Sequence, residues 1–237
     1  MKNIIKNETW VFIPARLGSK SIKNKNIIKL KNKPLIYYAI NDALNLKKIT
    51  RIGQIIFSSD SKKYLTIAKK YGIVNLHLRK KKYAQDNSSD LDVFKSYLKD
   101  LIKKKIYLPE FFIHLRPTTP VRKISILKKA IYFFNRNKSF YSSMRSVSLM
   151  SNTAYKTFRI IDNKLCGLCK KDFALDKYNL PRQLFQKTYM PNGYIDIVKT
   201  KNILNNILHG TKVLPYLISE NVIDIDSKNE YNNLKND

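Results

Sequence analysis

Arg16, Lys20, Lys23 and Lys25 fall within one short stretch, spaced by Gly18, Ser19 and Ser21. Four cations on a glycine- and serine-containing loop have the chemistry to hold a polyanion. The loop follows Trp10, Val11, Phe12 and Ile13, an apolar run of aromatic and β-branched types that suits a strand buried on both faces, and Pro14 ends that run. A basic loop at the carboxyl end of a buried parallel strand sits where open α/β sheets bind ligands. The two familiar glycine-rich phosphate loops are excluded: the chain has six glycines and no G-x-G or G-x-x-x-x-G-K spacing.

The elements needed to position such a loop alternate along the chain. Pro34 suits a first helical turn, and Leu35, Ile36, Ala39, Ile40, Ala43 and Leu44 give that helix an apolar face. Ile52 to Phe57 reads as a second buried strand. Ser58, Ser59, Asp60 and Ser61 supply caps for a helix ending at Gly72, and Val74 to Leu78 reads as a third strand. Leu91, Phe94, Leu98, Leu101 and Ile102 mark a helix, Phe111 to Leu115 a fourth strand, Ile124 to Asn135 a helix and Tyr141 to Val147 a strand. This order predicts a Rossmann-like, mostly parallel α/β sheet with helices on both faces. Phe158 to Ile161 and Lys164 to Leu168 flank Asp162 and Asn163, which reads as a hairpin. Residues 150–188 are therefore expected to be an excursion from a single domain spanning residues 1–237. Ser227 and Glu230 form a capping box for a terminal helix.

A chain of 237 residues suits one well-buried α/β domain. The net charge of +29 would ordinarily suggest nucleic acid. Here lysine accompanies abundant Asn, Ile and Tyr throughout, as a chain-wide bias rather than a patch, and no RNA-binding or zinc-finger signature is present. A basic nucleic-acid-binding protein stays as the reading from a different class. The N-terminal stretch lacks the apolar core of a signal peptide and no run approaches a membrane span, so a soluble cytoplasmic protein is expected. Cys166 and Cys169 make a lone CxxC without further ligands nearby, and the incidental reading is preferred to zinc or redox chemistry.

The stretches IPARLGSKSIKNKNI and KNKPLIYYAI, LRKKKYAQDNSS (Leu78 to Ser89), LRPTTPVR (Leu115 to Arg122), PRQLFQKTYMPNGYIDI (Pro181 to Ile197) and IDIDS (Ile223 to Ser227) resemble, in order, the motifs of the acylneuraminate, or sialic-acid-type, cytidylyltransferases. The resemblance implies a fold of the nucleotide-diphospho-sugar transferase type. It also implies attack by the anomeric hydroxyl of a nine-carbon sugar acid on the α-phosphorus of CTP, with release of pyrophosphate. By family position, Arg16, Lys20 and Lys25 would hold the triphosphate and, with Asp226, form the catalytic set. Asn26, Arg79 and Ser88 match nucleotide-binding positions. Arg116, Lys156, Arg182, Asn192 and Asp196 match sugar-binding positions.

The family pattern has Gln where Arg116 stands and Tyr where Asp196 stands. Two opposite charges there are expected to pair with each other and to shift sugar choice toward a legionaminic- or pseudaminic-type acid or a shorter ulosonic acid. Asp224 and Asp226, two apart on an extended stretch and at the family's metal positions, would hold Mg²⁺. Folding is expected to bring that stretch, as a terminal strand, opposite Arg16 and Lys20. In the resembled family the region corresponding to residues 150–188 reaches across a dimer to the partner's active site, so the resemblance implies a homodimer. A related nucleotidyltransferase using another base or a Kdo-like sugar is the alternative within the same chemistry.

Overall fold

The computed structural model describes residues 4–168 and 175–236. It opens with β1 (Ile5–Pro14), a short ribbon of β2 (Lys29–Leu30) and β3 (Lys33–Pro34), then α1 (Leu35–Ile49), β4 (Ile52–Ser59), α2 (Lys62–Lys70) and β5 (Asn75–Leu78). It continues with α3 (Asp90–Lys103), β6 (Leu108–His114), α4 (Ile124–Asn137), β7 (Ser143–Leu149), β8 (Phe158–Ile161) and β9 (Lys164–Gly167). The last elements are α5 (Leu175–Tyr178), β10 (Tyr189–Lys199), α6 (Thr200–Leu204), β11 (Val213–Leu217) and α7 (Lys228–Asn236).

Seven strands form one sheet in the order β11-β7-β10-β6-β1-β4-β5. All are parallel except β10, which runs antiparallel to both β6 and β7. The chain winds from β1 outward through β4 and β5, then returns to place β6 on the other side of β1. The reversal opens a crevice at the carboxyl ends of β1 and β6, the usual ligand position in such sheets.

Trp10 to Ile13 are fully buried, and their alternation divides the core. Val11 and Ile13 pack with Ile36, Ala39 and Ala43 of α1 and Leu127 of α4 on one face. Trp10 and Phe12 pack with Phe94, Tyr97 and Leu98 of α3 on the other. The Phe12 ring lies 4.5 Å from that of Phe94 and 6.0 Å from that of Phe112. The starts of α2 and α3 carry side-chain caps, the first among those expected and the second not read in the sequence. Ser61 accepts from Tyr64 N–H, and Ser89 with Asp92 closes a capping box on α3. Among the described residues no helix is long and apolar enough to cross a membrane.

Several strand limits differ from those read in the sequence. β1 begins at Ile5 and β6 at Leu108, because ladder pairing between them extends beyond the residues that helices cover on both faces. Val74 lies outside β5 and is 85% exposed. β7 starts two residues later than expected, since Ser142 N–H is taken by Lys212 carbonyl. No terminal strand forms around residues 223–227: Ile225 makes a single backbone bond to Thr118 carbonyl and buries its side chain, with no ladder. Ser227 and Glu230 do form the reciprocal cap of α7.

The excursion leaves and rejoins the sheet across one hydrogen bond, Met150 N–H to Thr188 carbonyl, at 2.9 Å. Within it β8 and β9 pair about Asp162 and Asn163, both at positive φ, the turn conformation that these residue types tolerate. The short α5 had no periodic signal. Cys166 is a free thiol in β9, whereas Cys169 lies outside the described residues.

One polar row interrupts the α3 face. His114, Asp196 and Arg145 are register partners across β6, β10 and β7. His114 is fully buried, neither ring nitrogen has a hydrogen-bond partner, and burial, with Arg116 adding to it, pushes its pKa down to about 4. Asp90, Asp196 and His209 also face it. The unfolded chain therefore binds a proton between pH 6.5 and 4 that the folded chain refuses, so stability falls as pH drops through that window, by about 3 kcal/mol from this group.

Two outcomes are expected. Phe12→Ala should lower the unfolding free energy by about 3–5 kcal/mol in urea with an unchanged m-value. His114→Phe should flatten the loss of stability between pH 6.5 and 4. Asp42, pushed up to about 6 by burial, acts in the opposite sense, so the difference between variant and parent isolates His114.

Candidate active site

The crevice is a cleft of about 290 Å³ lined by the loops that follow β1, β5 and β6, with the chain before α7 closing one side. Arg16, Lys25, Arg79 and Arg116 bring four cations to it, and Asp86, Asp90 and Asp226 three carboxylates. Asn26 and Ser88 also line it. Each follows from local structure. Arg16 comes two residues after the end of β1, and Lys25 opens a single 3-10 turn that buries Asn26, whose amide donates to Arg16 carbonyl at 2.9 Å. Ser88 precedes the α3 cap and its hydroxyl accepts from Gln85 N–H, shaping the turn that carries Asp86.

The cations differ in how they are satisfied. Arg16 Nη1 lies 2.9 Å from Asp86 Oδ1, and Lys20 Nζ lies 2.9 Å from Asp86 Oδ2. One carboxylate on the α3 side thus holds two of the four cations of the basic loop. Lys20 is 80% exposed and reaches the cleft only through this pair. Lys25 Nζ lies 2.7 Å from Asp226 Oδ1. The C-terminal acid therefore meets Lys25, and the expected placement opposite Arg16 and Lys20 is corrected: Asp86 occupies those two. Asp224 does not line the cleft; its Oδ1 lies 3.4 Å from Thr119 Oγ1.

Arg79 is 4% exposed, and its Nε and Nη2 have no hydrogen-bond partner among the described residues. Burial lowers its pKa, opposed by Asp60, and Arg16 lowers it further. A guanidinium in this state is a standing requirement for acceptors. Arg116 is the opposite case. Its Nη1 donates to Asp196 Oδ2 at 2.8 Å and its Nη2 to Asp90 Oδ2 at 2.7 Å. The expected Arg116–Asp196 pair is present, with Asp90 as a third member. Burial pushes the Asp90 carboxyl up, but His114, Arg116 and Arg145 outweigh it and hold the group at about 2.

Of the sugar-side residues, Arg116 and Asp196 are paired, and the other three do not join them. Asn192 is buried, accepts from Ser146 hydroxyl at 2.6 Å and donates to Ser148 hydroxyl at 2.9 Å. Lys156 and Arg182 lie in the excursion and line no part of the cleft; Arg182 borders a separate cavity of about 440 Å³ with Thr153, Phe185 and Gln186. Sequence reasoning missed Asp86 and Asp90. Asp86 sits inside the quoted stretch LRKKKYAQDNSS, where a lone acid among lysines marked it. It also missed Arg122, the last residue of LRPTTPVR.

Residues 10–162 match the cytidylyltransferase family. The chain is 31% identical over 222 residues to an N-acylneuraminate cytidylyltransferase of Escherichia coli O18:K1:H7, covering 92% of this chain and 49% of that protein. It is 34% identical over 127 residues to a pseudaminic acid cytidylyltransferase of Campylobacter jejuni, covering 54% and 53%. It is 28% identical to the post-translational flagellin modification protein B of Campylobacter coli, over 95% and 92%. The chain spans about half the length, or less, of the first curated relatives that it matches. Among solved structures, a CMP:2-keto-3-deoxy-manno-octonic acid synthetase complexed with CTP superposes with a TM-score of 0.67 at 12% identity, over 97% of both chains, a likeness of fold. A basic loop after β1, a cleft at the β1/β6 crevice and a family match across both make the conclusion direct: the chain belongs to the cytidylyltransferase family.

Proposed function

We propose that this protein transfers CMP from CTP to the anomeric hydroxyl of a nonulosonic, sialic-acid-like sugar acid, releasing pyrophosphate. The observation that carries the reading is Arg79, a buried guanidinium whose Nε and Nη2 have no acceptor among the described residues, on the wall of a cationic cleft in a cytidylyltransferase fold. The substrate class is supported by relatives named for N-acylneuraminate and pseudaminic acid. The reaction would run in the cytoplasm, where CTP is at hand.

In this reading Arg16, Lys20 and Lys25 hold the triphosphate, exchanging their carboxylate partners Asp86 and Asp226 for phosphate oxygens. Arg79, Asn26 and Ser88 bind the nucleoside side of CTP. The sugar oxygen forms a bond to the α-phosphorus, the bond from that phosphorus to pyrophosphate breaks, and the hydroxyl proton leaves to water. Among the described residues no histidine lines the cleft, and His114 and Arg116 hold the Asp90 carboxyl at about 2, which makes it too weak a base to take the proton. Cations fixed around the developing charge supply the stabilisation.

Mg²⁺ fits the donors that remain. Asp224 and Asp226 flank buried Ile225 and would offer hard oxygen ligands, Asp226 on the cleft and Asp224 beside it. That suits an ion that takes one or two carboxylates, phosphate oxygens and water. When bound, it neutralises phosphate charge and lowers the pKa of a coordinated hydroxyl. Arg116 and Asp196 face the sugar and set its choice, together with Asn192. Lys156 and Arg182 reach a sugar in the partner of a homodimer formed through the excursion. Ile160 is 73% exposed, Leu168 57% and Leu184 69%, more apolar surface than a two-stranded ribbon buries alone.

Asp226→Asn, or a chelator added to the parent, is expected to remove most CTP-dependent pyrophosphate release while the fold is kept. Unchanged release in both would sink the metal assignment. A nucleic-acid binder would instead keep or tighten its binding when an acid is lost from a chain of this charge. Light scattering at micromolar concentration is expected to give twice the chain mass; a fully active monomer would remove the dimer from the reading.

A further inference from the structure

Arg122 lies between β6 and α4, its side chain fully buried and off the lining of the cleft. The antiparallel ladder of β6 with β10 runs from Phe111 opposite Lys199 to His114 opposite Asp196, and there it stops. Continuing that register would set Arg116 opposite Tyr194. Those two residues do not bond to each other. Arg122 Nη2 donates to Arg116 carbonyl at 2.7 Å, and Arg122 Nε donates to Tyr194 carbonyl at 2.7 Å. Nη2 also lies 3.4 Å from Gly193 carbonyl, and Nη1 lies 3.4 Å from Asp42 Oδ2 on α1. One planar guanidinium therefore stands where the next rung would be, and it holds the two backbones at a fixed width.

We propose that Arg122 is a positioning residue whose guanidinium replaces a rung of the β6–β10 ladder and so sets the separation of Arg116 from the Asn192–Asp196 segment in the sugar pocket. This rests on the reading of Arg116 and Asp196 as sugar-facing. A planar fork with several fixed donors is what three carbonyls, two from β10 and one from the segment after β6, require; a lysine ammonium has the charge without the fork. Gly193 adds to the case. It has φ +69, and a Cβ there would lie 2.8 Å from Thr119 Oγ1 and 3.2 Å from Asp224 Oδ2. The backbone is thus pressed against the neighbouring loop as it leaves the ladder. Lys123 N–H donates to Tyr194 hydroxyl at 2.6 Å, a second tie between the same two segments.

The test measures pyrophosphate release with CTP and a panel of N-acetylneuraminic, legionaminic and pseudaminic acids, for the parent, Arg122→Lys and Asp196→Asn. Arg122→Lys is expected to raise the KM for the best sugar at least tenfold, while the KM for CTP stays within threefold. A merely structural role would lower the melting temperature and move both constants together. If the lysine variant does not fold, Arg122→Gln combined with Asp42→Asn, which leaves neither member of that buried pair charged, carries the same comparison. If Asp196→Asn raises the sugar KM and neither Arg122 variant does, the rung is overturned and the sugar reading stands. If Asp196→Asn leaves the sugar KM unchanged, or no acid turns over, the sugar reading is overturned and the rung's role falls with it.

Discussion

A guanidinium taken out of water must find acceptors for its N–H groups, and the carboxyl end of this sheet is built around three solutions to that demand. Arg116 is met by two carboxylates, Asp90 and Asp196. Arg122 is met by backbone carbonyls from β10 and from the segment after β6, with Asp42 as counter-charge. Arg79 is not met by hydrogen bonds within the described residues, and it is the one of the three that borders the cleft with unpaired nitrogens. Breaking one partner of such a buried set costs far more than the set contributes over apolar packing, so the arrangement specifies geometry more than stability.

The acids are few, and their placement matters more than their number. The chain has 17 acidic residues against 46 basic ones, yet Asp86, Asp90 and Asp226 all line one cleft. Without them Arg16, Lys25 and Arg116 would repel one another across a small space. Asp86 and Asp226 sit on exposed side chains, 49% and 72% accessible, where screening keeps the pairs weak. Asp90 and Asp196 are more deeply set, and their pairing with Arg116 is part of the fold.

Much of the scaffold was legible because its signals are local. The apolar run at Trp10 to Ile13, the serine cap at Ser61, the Ser227–Glu230 box and the Asp162–Asn163 turn each depend on neighbours in sequence. Motif resemblance carried the site positions Arg16, Lys25, Asn26, Arg79, Ser88 and Asp226 into one cleft. The pairings were less legible. Arg116 with Asp196 was read from two charges at matched motif positions, but Asp90 lies 26 residues away with no pattern to point to it. Arg122 bonds to carbonyls, and carbonyls are present at every residue, so sequence carries no mark of it. The stretch around Ile225 looked like a strand because its alternation is real, but one buried side chain and one backbone bond satisfy that alternation without a ladder.

The excursion joins the sheet at a single point, where Met150 N–H meets Thr188 carbonyl. Its two ends are neighbours, so the loop-closure cost of what lies between grows only slowly with length. Such a segment behaves as a cassette. It can lengthen, shorten or be replaced while the ladder of β7 with β10 continues below it undisturbed. Lys156 and Arg182 ride on that cassette, while Arg16, Lys25 and Arg79 ride on loops at the end of the sheet. The two sets of residues are thus free to drift separately.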